Sequence, residues 1–251
     1  MQKTQDMENV IIVLPARLKS SRLPGKMLES VGGVPLIVAS ARNAQKTGLP
    51  VLVAADDDSI RYACMDHGVL VEGTPVDCAS GTDRLAYLAS RLNWRGKVIV
   101  NVQGDEPLLE PELILSVARS LVESRSDMAT AAVALADAAQ WRDPNCVKVV
   151  ANDAGKVLYF SRAAVPFDRD GSQDVVPKCA YRHLGIYAYT SESLHRWGDL
   201  PASSLEAIEK LEQWRALEAG LSMSLHVAKS TRSISVDTPA DLEAARVVLG
   251  R

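Results

Sequence analysis

Residues 15–26 read PARLKSSRLPGK and hold four cations, Arg17, Lys19, Arg22 and Lys26, with no carboxylate among them. The flanking acids are Glu8 and Glu29, so the stretch is an island of positive charge in a chain of net charge −3. Charge alone reads as a solvated loop. The stretch directly follows the apolar run VIIVL at 10–14, however, and in open parallel sheets ligands bind beyond the carboxyl ends of the strands. That place adds a second reading, a loop that wraps a triphosphate with side chains and backbone donors. Two familiar phosphate loops do not apply. Gly25-Lys26 would need a glycine at 20 and Ser or Thr at 27 for a Walker loop, but Ser20 and Met27 stand there, and no G-x-G-x-x-G occurs.

Carboxylates supply the complementary chemistry. Asp105 lies in NVQGDEP (101–107), just past the strand-like VIVNV (98–102), and so emerges at the same edge as the basic loop. Asp237 lies in SVDTP (235–239), directly before a helix start. Taken singly, these are an Asp-Glu-Pro turn and a carboxylate at a helix dipole. Taken together they are a candidate Mg2+ pair, since Mg2+ commonly takes one or two carboxylates plus phosphate oxygens. A further polar group comes from FSR (160–162), RHLGIYAY (182–189) and EKLEQ (209–213). Arg162, His183 and Tyr187 are donors suited to a carboxylated, hydroxyl-rich substrate, and Glu212 and Gln213 could accept from its hydroxyls. Against this, a histidine on an apolar strand is often a core residue, and Glu209 and Glu212 also fit the wet face of a helix.

These residues need a frame. VIIVL (10–14), VLVAA (51–55), VLVE (69–72) and VIVNV (98–102) alternate with helix-like stretches at 34–45, 59–68, 82–92 and 111–125. Non-alternating apolar strands separated by helices indicate an α/β fold with a mostly parallel sheet buried on both faces. From about 128 to 200 the character changes: MATAAVAL (128–135), VKVVAN (147–152), KVLYF (156–160) and LGIYAYT (184–190) are strand-like with few helices between them. This is expected to be a mixed-strand insertion within a single domain spanning 1–251. A capped helix is expected after Ser203, with Glu206 three residues on, and a last one at Thr238-Pro239 with Asp241.

The totals exclude several classes. A net charge of −3 leaves no broad basic field for a nucleic-acid backbone. Cys64, Cys78, Cys146 and Cys179 form no C-x-x-C pair and read as reduced thiols. The longest apolar run near the N-terminus is five residues, too short for a signal core or a membrane span. The expectation is a soluble, cytoplasmic protein that binds neither nucleic acid nor membrane.

In their order, PAR…SSRLPGK, SGTDRLA (80–86), NVQGDEP, VKVV…LYFSRA…PF, RHLGIYAY, LEQ-x-RAL (211–217) and VDTP-x-DLE resemble one family over almost the whole chain. It is the 3-deoxy-manno-octulosonate cytidylyltransferase, or CMP-Kdo synthetase, family. The resemblance implies a Rossmann-like nucleotide-sugar transferase fold and a homodimer, with the insertion as dimerisation arm and sugar-site wall. It implies transfer of CMP from CTP to the anomeric hydroxyl of Kdo, toward lipopolysaccharide. By motif position, Arg17, Arg22 and Lys26 would hold the triphosphate, Ser80 and Gly81 would lie near the cytidine, and Arg84 near the reacting groups. Arg17, Lys26, Asp105 and Asp237 would form the catalytic set, with Mg2+ on the two aspartates. Gln103, Arg162, His183, Tyr187, Glu212 and Gln213 would contact the sugar.

Two departures bear on the substrate. Cys78-Ala79 precede SGT, where many members carry a histidine and a second polar residue. This smaller, less polar wall also admits a modified sugar acid such as 8-amino-Kdo. The segment before VDTP lacks the glycine often found there, which bears on how Asp237 is presented. A non-catalytic nucleotide-sugar binder would have no need for Lys26, Asp105 and Asp237 together.

Overall fold

The computed structural model of the chain describes residues 7–20, 22–169, 176–201 and 203–250. Strand β1 (Val10–Ala16) is buried at every position but Ile11, and β4 (Val51–Ala55) at every position. Such strands carry apolar residues on both faces and must lie between helices. They pair in parallel, Ile12 beside Val51 and Leu14 beside Val53. Strand β6 (Val98–Asn101) and β5 (Val71–Gly73) extend this parallel core on either side. Alternation along β1 then divides the interior. Ile12 and Leu14 face one core with Ile37 and Ile114, whereas Val13 faces the other with Leu85 and Trp197.

The helices fill those two faces. Leu36–Gln45, Asp58–Asp66 and Pro111–Ser124 contribute to the first core, and Gly81–Arg91 and Ser191–Trp197 to the second. The helix expected from residue 34 begins at Leu36, because Ser30–Val31 (β2) and Val34–Pro35 (β3) form a small antiparallel hairpin first. The expected caps form. Ser203 accepts from the Glu206 amide ahead of Ser204–Glu209, and Thr238 and Asp241 make a reciprocal capping box ahead of Pro239–Leu249.

Beyond β6 the sheet turns mixed. Strand β10 (Ala180–Thr190) inserts antiparallel between β6 and β7 (Met128–Ala134), and β11 (Met223–Ala228) closes the edge parallel to β7. The order is β11-β7-β10-β6-β1-β4-β5, with β8 (Lys148–Ala151) pairing with β10 and β9 (Val157–Ser161) pairing with β8. Within the mixed-strand stretch, β7 and β10 therefore belong to the main sheet, and the β8–β9 pair branches from it; residues 170–175 of that stretch lie outside the described residues. Strand β10 starts four residues earlier than its apolar run suggests and breaks register between Leu184 and Tyr187. Strand β11 and the short helices Ala138–Arg142 and Ser191–Trp197 are additions to the sequence reading.

Candidate active site

The basic loop leaves the carboxyl end of β1 and returns through Gly25, whose φ of 71° lies in the region that glycine enters without strain. A 3-10 turn, Lys26–Leu28, follows and draws Met27 into the core. This turn carries the Lys26 ammonium inward, where it is 7% exposed. Its Nζ lies 2.5 Å from Asp105 Oδ2 and 3.0 Å from Asp237 Oδ1, and donates to the Val236 carbonyl at 2.9 Å. Burial alone would lower the Lys26 pKa, but the two carboxylates outweigh it and hold the value above its ordinary level. Arg22, exposed on the loop, reaches Asp237 at 2.9 Å.

The carboxylates arrive from segments far apart in the chain. Asp105 follows β6 through Gly104, where a Cβ would stand 2.8 Å from the Pro15 carbonyl oxygen and 2.9 Å from Ile37 Cδ1. Only glycine fits without displacing backbone, so this contact sets the path of NVQGDEP. The Asp105 carbonyl accepts from the Val236 amide at 2.9 Å, which seats Asp237 beside it. The segment before Asp237 is tied to the same loop by Glu106, which accepts from Ser233 Oγ at 3.2 Å, and by Glu110, which accepts from Thr231 Oγ1 at 3.1 Å and from the Arg232 amide. Burial and the neighbouring Asp105 charge push the Glu106 carboxyl up to about 7.

A second wall comes from the start of helix Gly81–Arg91. Ser80 caps it and donates to Glu212 Oε1 at 2.6 Å, joining two residues far apart in sequence. Burial raises the Glu212 pKa against this hydrogen bond. Gly81 sits against Pro15, with room for a Cβ only 3.2 Å from Pro15 Cγ. Arg84 lies beneath this wall and is fully buried. It donates to Thr74 Oγ1 and to the Pro75 carbonyl at 3.0 Å, and pairs with Asp56 Oδ2 at 3.4 Å. Arg84 therefore presents no open guanidinium. The same Asp56 accepts from the Leu18 amide at 2.9 Å, so one carboxylate anchors both the basic loop and Arg84. Arg17 is half-buried and close enough to Arg84 for their charges to interact. The Cys78 thiol is pushed up by burial, which leaves it neutral filler rather than a nucleophile.

The residues expected around a sugar fall into two groups. Gln103 lies half-buried on the Asp105 loop, while Gln213 is buried beside Glu212 with its Nε2 sealed and without a partner. On β10, His183 sits between Phe160, which it meets edge-on, and Tyr187, whose ring is tilted to it, at centroid separations of 5.1 and 5.3 Å. Arg162 is committed to main-chain carbonyls, donating to Glu209 at 2.7 Å and to Pro144 at 3.0 Å. It braces the wall. Glu209, which in the sequence also fits the wet face of a helix, accepts from Ser161 Oγ at 2.7 Å and the Arg162 amide at 2.9 Å. Asp56, Glu106 and Glu110 went unsingled in the sequence, where each sits beside another acid or within a turn-like run with nothing to mark it.

The geometry permits a test of the Mg2+ expectation. Asp105 and Asp237 converge on one cationic nitrogen, within 3.0 Å of it. Among the described residues no group of three or more His, Cys, Asp or Glu side chains could hold a metal. A two-carboxylate site completed by phosphate oxygens is the form Mg2+ takes most readily. The residues fit.

Comparison with known proteins identifies the family. A family model described as cytidylyltransferase matches residues 11–228. The 3-deoxy-manno-octulosonate cytidylyltransferase of Acidovorax sp. (strain JS42) is 46% identical over 254 residues, covering 95% of this chain and 97% of that protein. The protein of the same name from Neisseria gonorrhoeae (strain NCCP11945) is 43% identical, covering 96% and 98%. A solved CMP:2-keto-3-deoxy-manno-octonic acid synthetase complexed with CTP superposes with a TM-score of 0.87 at 36% identity, over 96% of this chain and 98% of that one. A putative glucose-1-phosphate thymidylyltransferase from Bacillus anthracis shares the fold, with a TM-score of 0.63 at 18% identity. The chain belongs to the 3-deoxy-manno-octulosonate cytidylyltransferase family.

Proposed function

We propose that this protein transfers CMP from CTP to 3-deoxy-D-manno-octulosonate, releasing pyrophosphate, in the supply of activated sugar for lipopolysaccharide. One observation carries the reading beyond family membership: Lys26, Asp105 and Asp237 converge at the carboxyl edge of β1 and β6. A cation and two acids held there form a site for a triphosphate and its counter-ion.

The reaction is an in-line displacement. The anomeric hydroxyl oxygen forms a bond to the α-phosphorus as its proton passes to solvent, the bond from that phosphorus to the β-phosphate bridging oxygen breaks, and pyrophosphate leaves. No covalent enzyme intermediate is required. Asp105 and Asp237 would hold Mg2+, which when bound offsets charge at the α-phosphate and lowers the pKa of the attacking hydroxyl. Arg17, Arg22 and Lys26 bind the departing phosphates, and their fixed charge favours the transition state. Ser80 and Gly81 form the nucleotide wall, with Arg84 adding positive field from beneath. Gln103, His183, Tyr187, Glu212 and Gln213 bind and orient the sugar acid, on a wall that Arg162 braces. No helix among the described residues is long and apolar enough to cross a membrane. A cytoplasmic homodimer, with the β8–β9 pair at the interface, completes the reading.

Pyrophosphate release with CTP and Mg2+, offering Kdo and 8-amino-Kdo in parallel, tests it. Faster turnover of Kdo is expected. A strong preference for the amino sugar would assign the Cys78-Ala79 wall to specificity and change the substrate. Silence with both, while CTP still binds, would leave a binding protein.

A further inference from the structure

Thr130 is fully buried on β7, facing the break in β10. Its Oγ1 has three polar neighbours: the Ile186 carbonyl at 2.8 Å, the Leu184 carbonyl at 3.4 Å and His183 Nε2 at 3.0 Å. A threonine hydroxyl has one hydrogen to give. Carbonyl oxygens can only accept, so that hydrogen goes to the bulge, to Ile186 at the shorter distance. The contact with the imidazole is then attractive only if Nε2–H donates to Oγ1.

The consequence lies at the other ring nitrogen. Burial pushes the His183 pKa down to about 3, so the ring is neutral near pH 7 and carries a single N–H. With that hydrogen on Nε2, Nδ1 holds a lone pair. Nδ1 has no partner among the described residues, and it is not among the sealed polar atoms that lack one, so it stays open to an incoming group. The ring itself is clamped by Phe160 and Tyr187. It lines a cavity of about 260 Å³ together with Glu106, Arg182 and Ser233.

We propose that Thr130 is a positioning residue of the sugar site, fixing His183 as the Nε2–H tautomer so that Nδ1 accepts a hydrogen bond from a hydroxyl of the sugar acid. This rests on the reading of His183 as a sugar contact, and it reverses the donor role that residue type alone suggests. A hydroxyl is selected over a carboxylate, because a lone pair facing a carboxylate oxygen has nothing to share. The bulge is the device that makes this possible: it turns two carbonyls toward Thr130 and thereby uses up the only hydrogen that could have gone to the ring.

The test uses the full chain with 15N-labelled histidine, and long-range proton–nitrogen spectra assigned with His183→Gln. In the unliganded wild type, Nε2 is expected as the protonated, pyrrole-type nitrogen and Nδ1 as the bare, pyridine-type nitrogen. Thr130→Ser should keep that pattern. Thr130→Val should lose it and raise the KM for the sugar about tenfold, the scale of one hydrogen bond, with the KM for CTP unchanged. A wild-type ring protonated on Nδ1 overturns the proposal even if the valine variant does not fold, as does a folded Thr130→Val with unaltered tautomer and sugar KM. The spectra need no substrate. A wild type that turns over no sugar acid would therefore remove the substrate reading while the tautomer result stood on its own.

Discussion

Lys26 and Asp105 are 79 positions apart in the chain, yet Nζ lies 2.5 Å from Oδ2, and the same ammonium reaches Asp237 at 3.0 Å. The cation expected on phosphate and the acids expected on metal are thus one ionic cluster, with Lys26 balancing two carboxylates that would otherwise repel. If Asp105 and Asp237 held Mg2+, the metal would supply the charge that Lys26 now gives them, and Lys26 would be left to pair with phosphate.

Lys26→Met breaks this balance. Turnover should fall at least about a hundredfold, since a fixed charge on the departing group is lost. Stability should fall by about 2 kcal/mol, less than for fully sealed pairs because the Asp237 side chain is 30% exposed. Millimolar Mg2+ should restore more thermal stability to this variant than to wild type, because the carboxylates are left without their cation. Thermal unfolding with and without Mg2+ checks this; equal shifts in the two proteins would argue against a shared cation site.

Asp56 carries two loads at once, the Leu18 amide and the buried Arg84. Asp56→Ala should destabilise by about 3–5 kcal/mol, because it leaves an unpaired guanidinium in the interior. Asp56→Asn keeps an acceptor for Leu18 but not the charge. It should cost stability while retaining most of the affinity for CTP, measured by urea denaturation and calorimetric titration. Comparable loss of CTP affinity in both variants would show that charge, rather than the loop anchor, is what the nucleotide feels.

The buried imidazole sets a pH dependence. The His183 pKa falls from 6.5 to about 3 on folding, so between those values the unfolded chain binds the extra proton. Stability contributed by neutral His183 is present above pH 6.5 and drains away as pH falls toward 3. His183→Gln should therefore show a shallower loss of stability between pH 6.5 and 4 than wild type, by up to about 1.4 kcal/mol per pH unit. Parallel profiles would mean that folding does not lower the affinity of the ring for its second proton.

Much of this was legible before any coordinates. The basic loop and Asp105 could be placed at one edge because VIIVL is apolar throughout and VIVNV is broken only by Asn101, so both read as buried parallel strands; Asp237 joined them only as the second carboxylate of a candidate Mg2+ pair. Less visible were residues whose role depends on a partner. Asp56 is the first of three consecutive aspartates, and only the path of β4 shows that it turns inward. Thr130 is an ordinary strand former within MATAAVAL until the bulge opposite gives its hydroxyl two carbonyls. Strand β11 escaped because MSLHVA is short and broken by Ser224 and His226, and its burial comes from neighbours distant in sequence. By its place in SGTDRLA, Arg84 was expected near the reacting groups, with nothing in the sequence to show that it is buried. Its burial follows from Asp56, which lies 28 positions away.

Phosphorus-31 spectra of a mixture of the protein, CTP, Mg2+ and Kdo test the central claim most directly. The account expects the three CTP resonances to give way to pyrophosphate and a single new phosphodiester signal in equal amounts, with neither appearing in Asp237→Asn at matched times. CMP without a phosphodiester would mean that water, not the sugar, is the acceptor. An unchanged CTP spectrum with a folded, CTP-bound protein would contradict cytidylyl transfer altogether.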